Sequence, residues 1–224
     1  MNWNNIKVAL AVLLIGVGFY FFELNKPTSV NVPTVANPLN ATYVIEGQSV
    51  TLVNGKAEVD VAPGSATKIA TTVFGGPVRG DLNGDGKEDM ALMLVQNPGG
   101  SGTFYYVATA INDDGVKGTN AILLGDRIAP QNISIKNGQI MANYADRNPR
   151  EPMTMRPSLG VTKYMVFDGT KLNVVIQPIA SVGEFCGGNM TTAPLCVAGS
   201  HCAPNPKSNL PFGDVGGACV LNNN

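Results

Sequence analysis

Three dipeptides constrain this chain more than anything else in it: Asn54-Gly55, Asn137-Gly138 and Asp168-Gly169. Each stands between short apolar or β-branched runs. "SVTLV" precedes the first and "KAEVDVA" follows it; "NISIK" and "QIMANYA" flank the second; "KYMVF" and "KLNVVI" flank the third. A type I′ turn needs positive φ at both central residues, which Asn-Gly and Asp-Gly tolerate. Three such signals predict antiparallel sheet built from hairpins. "TYVIEG", "GTFYYVATAIN" and "TNAILLG" add further strands. No segment after residue 24 carries a 3.6-residue apolar period. The fold expected over 41–178 is therefore all-β, an antiparallel, hairpin-rich sandwich or barrel-like domain. Nothing repeats at fixed spacing, which argues against a solenoid or a complete propeller. Net charge is only -1, and no basic cluster stands out, so a nucleic-acid partner is not expected.

The first 24 residues are of another kind. "VALAVLLIGVGFYFF", Val8 to Phe22, is an unbroken apolar run. A helix from Ile6 to Leu24 would reach roughly 28 Å, enough for the hydrocarbon core of a bilayer. Trp3 and the aromatics at 19–22 lie towards its ends, where interface anchors sit. Small residues suited to signal cleavage are missing around "FYFFEL", so residues 1–24 are expected to stay as a transmembrane signal-anchor. Residues 25–40, "NKPTSVNVPTVANPLN", contain three prolines and read as an extended linker. Lys7 and Lys26 flank the span almost symmetrically and set no orientation.

The densest chemistry is "DLNGDGKED", Asp81 to Asp89. Asp81, Asn83, Asp85 and Asp89 hold the first, third, fifth and ninth places of a loop. Lys87, in the seventh, offers a main-chain carbonyl. Gly84 and Gly86 permit tight backbone turns. Hard oxygen donors in this order suit Ca2+. Two carboxylates held about 4 Å apart repel by about 4 kcal/mol at an effective dielectric near 20, a conflict that a divalent cation removes. The alternative is a solvated polar turn, because Asp, Asn and Gly are also turn formers. The twelfth place is Leu92, where an EF-hand has glutamate, and the residues on both sides are β-compatible. In this the loop resembles the calcium loops of the FG-GAP and VCBS repeat families, where an Asp-x-Asp/Asn-x-Asp-Gly-x-x-Asp pattern precedes an apolar strand. The resemblance implies a structural ion. It occurs once, so it implies no propeller.

The longer stretch from "ATYVIEGQSVTLVNGKAE" through "GSGTFYYVATAIN" and "GTNAILLGDRIAPQ" to "NYADR" resembles an uncharacterised bacterial envelope domain. That resemblance implies a β-rich, exported or anchored protein and brings no activity with it.

All four cysteines, Cys186, Cys196, Cys202 and Cys219, lie in the last stretch, 179–224. This tail is rich in Gly, Pro and Asn and too poor in large apolar residues to bury a core, so covalent staples are expected. An even count beside an export segment favours two disulfides. Three pairings are open; the expectation is the interlocked one, Cys186–Cys202 with Cys196–Cys219. Disulfides imply an oxidising compartment, which places the domain outside the cytoplasm, in the periplasm or at the cell surface. Zinc is the alternative, although no Cys-x-x-Cys pair is present. The cysteine layout resembles small secreted knots at bacterial C-termini, protease-inhibitor knots and, in its first three cysteines, fungal-type cellulose-binding modules. The last present a flat row of aromatics, where this tail has only Phe185 and Phe212.

No nucleophile elbow, phosphate loop or dinucleotide fingerprint is present, and His201 is the single histidine. Glu46, Glu58 and Asp60 are carboxylates that a histidine-free hydrolase could use. A long proline-rich segment, "YADRNPREPMTMRPSLG", gathers Arg147, Arg150 and Arg156, which could grip an anionic group or brace the loop internally. The function expected is therefore non-catalytic: a membrane-anchored, calcium-stabilised binding or structural module of the cell envelope, with an envelope protein or glycan as partner. An inhibitor or carbohydrate-binding role through the tail or the arginine loop, and an undetected hydrolase, are the alternatives.

Overall fold

A computed structural model describes residues 37–188, 193–204 and 216–222. The expected anchor, Ile6–Leu24, and most of the linker lie outside the described residues. Among the described residues no helix is long and apolar enough to cross a membrane. The described residues form one compact unit. It starts ahead of Ala41, because Pro38–Asn40 is a 3₁₀ turn, Pro38 is buried, and the Tyr43 hydroxyl donates to the Pro38 carbonyl at 2.7 Å.

The unit is all-β. β1 (Thr42–Ile45) and β2 (Gln48–Thr51) form a hairpin. β3 (Lys56–Asp60), β4 (Lys68–Gly80), β5 (Asp89–Asn97), β6 (Phe104–Asn112), β7 (Val116–Gly118) and β8 (Ile122–Asp126) form a six-stranded sheet, in which β7 and β8 both pair with β6. β9 (Ala129–Lys136), β10 (Gln139–Asp146), β11 (Leu159–Phe167) and β12 (Leu172–Val175) form a four-stranded sheet. All pairs in these sheets are antiparallel. The tail supplies β13 (Ile179–Ala180), β14 (Phe185–Cys186), β15 (Leu195–Cys196), β16 (Ser200–Pro204) and β17 (Gly217–Leu221). Of these, β13 and β15 pair in parallel, while β17 runs antiparallel between β14 and β16.

The continuous apolar run of β5 has a simple cause: the strand is covered on both faces. Ala91 and Met93 point to a core shared with Val107, Leu124, Ile140, Tyr144 and Met165, which joins the six- and four-stranded sheets. Met90, Leu92 and Leu94 point the other way, into a second core with Tyr43, Ile45, Leu52 and Tyr106 beneath the β1–β2 hairpin.

The three turn dipeptides do different work. Asn137 (φ 53) and Gly138 (φ 71) close β9 onto β10 as a two-residue turn, with Lys136 opposite Gln139. Asn54 (φ 51) and Gly55 (φ 79) also form a tight turn, bridged Val53 to Lys56, but β3 then leaves to pair with β4. At Asp168-Gly169 the connection is four residues long. The Asp168 carboxylate accepts from the Thr170 and Lys171 amides, each at 2.9 Å, and of the dipeptide only Gly169 takes positive φ. The short side chain of Asp168 builds an Asx turn instead of a I′ turn.

The disulfides are Cys186–Cys202 and Cys196–Cys219, and no described cysteine is free. The tail packs onto the β9–β10 turn. Asn137 donates to the Ile179 carbonyl and to Ser181 Oγ, both at 3.0 Å. Gln139, almost fully buried, donates to the Gln177 carbonyl and accepts from the Ile179 amide, both at 2.9 Å.

Candidate metal centre

The aspartate loop connects neighbouring antiparallel strands, with Gly80 opposite Asp89 at its mouth. One side chain explains its fixed position. Leu82, alone among polar neighbours, is 4% exposed and inserts into the core between the two sheets. The loop base is closely held: a Cβ on Gly80 would lie 2.6 Å from the Ile135 side chain of β9. A Cβ on Gly138 would lie 3.7 Å from the Asp81 carbonyl oxygen. The β9–β10 turn therefore lies beside the aspartate loop on one side and bonds the cysteine tail on the other.

The carboxylates organise the loop backbone. Asp81 accepts from the Gly84 amide at 2.7 Å and from the Gly86 amide at 2.9 Å. Asn83 accepts from the Asp85 amide at 3.0 Å, and Asp85 from the Lys87 amide at 2.8 Å. Gly84 (φ 81) and Gly86 (φ 80) supply the left-handed conformations that let these amides turn inward. Asp89 is wholly buried; its two oxygens accept from the Leu82 amide at 2.9 Å and the Asn112 amide at 2.8 Å. It thus ties the loop to the end of β6. Positive charge is scarce. Lys87 Nζ lies 3.7 Å from Asp85, and Arg79 is spent on Glu88 at 3.2 Å. The Lys87 amide, helped by Asn83 and the Lys87 charge, holds the Asp85 carboxyl below the ordinary range against the opposing effect of desolvation.

The donor set is chemically that of a hard cation: three carboxylates, one amide oxygen and the carbonyl of Lys87. Each oxygen that accepts one N–H retains a second lone-pair direction. The three carboxylates do not converge on one point here, because each is turned to a backbone amide. Among the described residues, the set of three ligand-type side chains drawn within 4.8 Å of one another is Cys186, Cys196 and Cys219. Disulfides consume those sulfurs and leave no thiolate for zinc.

The arginines expected to share an anion are not used alike. The Arg147 guanidinium donates to the carbonyls of Met155 (2.6 Å), Arg127 (3.0 Å) and Asp126 (3.4 Å) and so pins the long loop to β8. Arg150 and Arg156 are exposed and make no hydrogen bond or ion pair among the described residues. The carboxylates weighed for hydrolysis are occupied or exposed. Glu46 accepts from the Tyr106 hydroxyl at 3.0 Å, Asp60 pairs with Lys68 at 3.0 Å, and Glu58 is exposed on β3. His201 meets Asn222 at 2.8 Å within the tail.

Two open clefts border the four-stranded sheet. One, of ≈ 510 Å³, is lined by Thr162, Tyr164, Val174 and Ile176; the other, of ≈ 360 Å³, lies between Met141 and the tail residues Glu184 and Phe185. No family model, curated protein or solved structure matches this chain.

Sequence reasoning missed three contributors to the loop: Leu82 as its core plug, the Asn112 amide as partner of Asp89, and the β9–β10 turn as its neighbour. Only Leu82 left a signal, as a lone large apolar residue in a polar run.

Proposed function

We propose that this chain is a non-catalytic module of the cell envelope, tethered by Ile6–Leu24 and braced by one calcium ion at Asp81, Asn83, Asp85, Lys87 and Asp89. One observation carries the calcium reading. The loop's ninth-place carboxylate, Asp89, is fully buried, accepts from two backbone amides and, among the described residues, forms no ion pair. A bound cation would relieve the cost of that buried charge. The donor chemistry, the two left-handed glycines and the resemblance to FG-GAP and VCBS loops support the same ion. Bound there, calcium would supply charge neutralisation and a rigid junction between β4, β5 and the end of β6, and no chemistry on a substrate.

Two disulfides support residence in an oxidising compartment outside the cytoplasm. The shared core of the six- and four-stranded sheets supports a sandwich over a closed barrel.

Calorimetric titration of the chelator-treated protein tests the ion. One site per chain is expected, with affinity on the order of 10⁻⁴ to 10⁻³ M. Asp81→Ala should abolish it. Heat that is unchanged in Asp81→Ala would show that the loop is a polar turn closed by its own amides.

A further inference from the structure

The long loop between β10 and β11 is rigid by construction, and what it does not use internally is informative. Arg147 fixes it to three carbonyls. Glu151 accepts from the Asn148 amide at 3.0 Å and the Asn148 side chain at 2.9 Å. The Ser158 amide closes the loop on the Asp146 carbonyl at 2.8 Å. The remaining groups face solvent: Arg150 and Arg156, which have no partner among the described residues, and between them Met153 (42% exposed) and Met155 (50% exposed). Leu159, 44% exposed, follows at the start of β11. The acids nearby are engaged: Asp126 with Arg127 at 2.9 Å, Asp146 with the Arg147 amide at 2.7 Å, and Glu151 with Asn148. The tip of the loop therefore offers two guanidiniums without an ion-pair partner among the described residues, flanking two flexible thioether side chains, with the Glu151 carboxylate turned to Asn148.

We propose that this tip, Arg150 to Arg156, docks on the surface of an anionic phospholipid bilayer. Charge complementarity selects the partner. Guanidiniums pair with phosphate oxygens in a forked geometry, and unbranched methionines fit the boundary between headgroups and acyl chains. A soluble anion would satisfy the arginines but would leave the methionines in water. An arginine near an anionic surface raises partitioning about fivefold, so two give at most roughly twenty-five-fold before the opposing Glu151 charge is counted, too little for a free protein. For a tethered one it suffices, because the anchor makes docking intramolecular. The proposal thus rests on the reading of Ile6–Leu24 as an anchor. Docking would set which face the domain turns to the membrane.

The test uses the full chain with Met153→Cys carrying an environment-sensitive dye. The native cysteines are all in disulfides, so the label is specific. The chain is placed in nanodiscs of phosphatidylcholine alone or mixed with phosphatidylglycerol. Expected is a blue shift in the mixed discs only, weakened by salt and lost in Arg150→Glu/Arg156→Glu, whose side chains hold nothing in the fold. Incorporation without a shift, an equal shift in both lipids, or a shift that survives the double substitution overturns the proposal. So does an equal response to soluble polyphosphate in phosphatidylcholine discs. If the chain enters neither disc, the anchor reading fails on its own. Docking then lacks the tether it requires, and the proposal falls with that reading, an outcome distinct from incorporation without a shift.

Discussion

Burying a carboxylate without a cation is costly, and Asp89 shows how two backbone amides, from Leu82 and Asn112, share that burden. Asp89→Ala strands both amides and should cost about 2–4 kcal/mol, read from the urea midpoint. Arg147 and Arg150 form a matched pair for a second test. Arg147→Ala removes a guanidinium that satisfies loop carbonyls and should cost about 1–3 kcal/mol, whereas Arg150→Ala should fall within about 0.5 kcal/mol of wild type. Equal effects of the two would contradict the division between a bracing and a displayed arginine. At this scale the sequence reveals residue types better than roles. The liganding order of Asp81 to Asp89 is visible in the text of the chain. That Arg147 bonds Asp126 and Arg127 is not, because a contact across twenty residues is made only when β8 and β10 meet.

The β9–β10 turn is the element on which the local structure depends, since it lies beside the aspartate loop and holds the tail. Gly138 sits at φ 71, so Gly138→Ala should cost about 1 kcal/mol or more in thermal unfolding, while Asn137, which also bonds the tail, is already a residue that tolerates this region. The tail's grip has a pH signature. The Lys136 ammonium at 2.6 Å, and after it the Ser181 amide, hold the Glu184 carboxyl below its ordinary value. A carboxyl depressed in the folded state adds stability that is complete above its unfolded pKa. That contribution fades as pH falls below about 4.3 towards the lowered folded value. Glu184→Gln should therefore flatten the acid dependence of tail docking, followed by amide exchange at Ile179, by lowering protection at neutral pH towards its value in acid. Turn chemistry made Asn137-Gly138 legible as a hairpin. It failed at Glu46-Gly47, a two-residue turn joining β1 and β2, because Glu46 at φ 49 is not a residue that announces left-handed backbone. It also misjudged Asp168, whose side chain captures two amides and lengthens the connection.

Among the described residues the molecule has two large cores, one on each face of the six-stranded sheet, and a tail whose own buried cluster is little more than its cystines and Ala180. The loops closed by Cys186–Cys202 and Cys196–Cys219 span 16 and 23 residues, for which chain entropy gives about 3 kcal/mol each. Reduction should therefore release the tail first. Exchange protection should vanish over 179–188, 193–204 and 216–222 while β5 and β6 keep theirs; simultaneous loss would show that the tail is part of the central folding unit. Strand content and the cystine-closed tail could be read from composition and spacing. The layering could not, since "MALMLV" says that a strand is buried on both faces without saying what covers each. The decisive experiment is thermal unfolding of residues 36–224, oxidised and freed of metal, across a calcium titration with Asp85→Ala in parallel. A calcium-dependent rise in melting temperature, absent in Asp85→Ala, is the expected result. Superimposable curves up to millimolar calcium would mean that Asp81 to Asp89 is a self-satisfied turn and that no ion braces this fold.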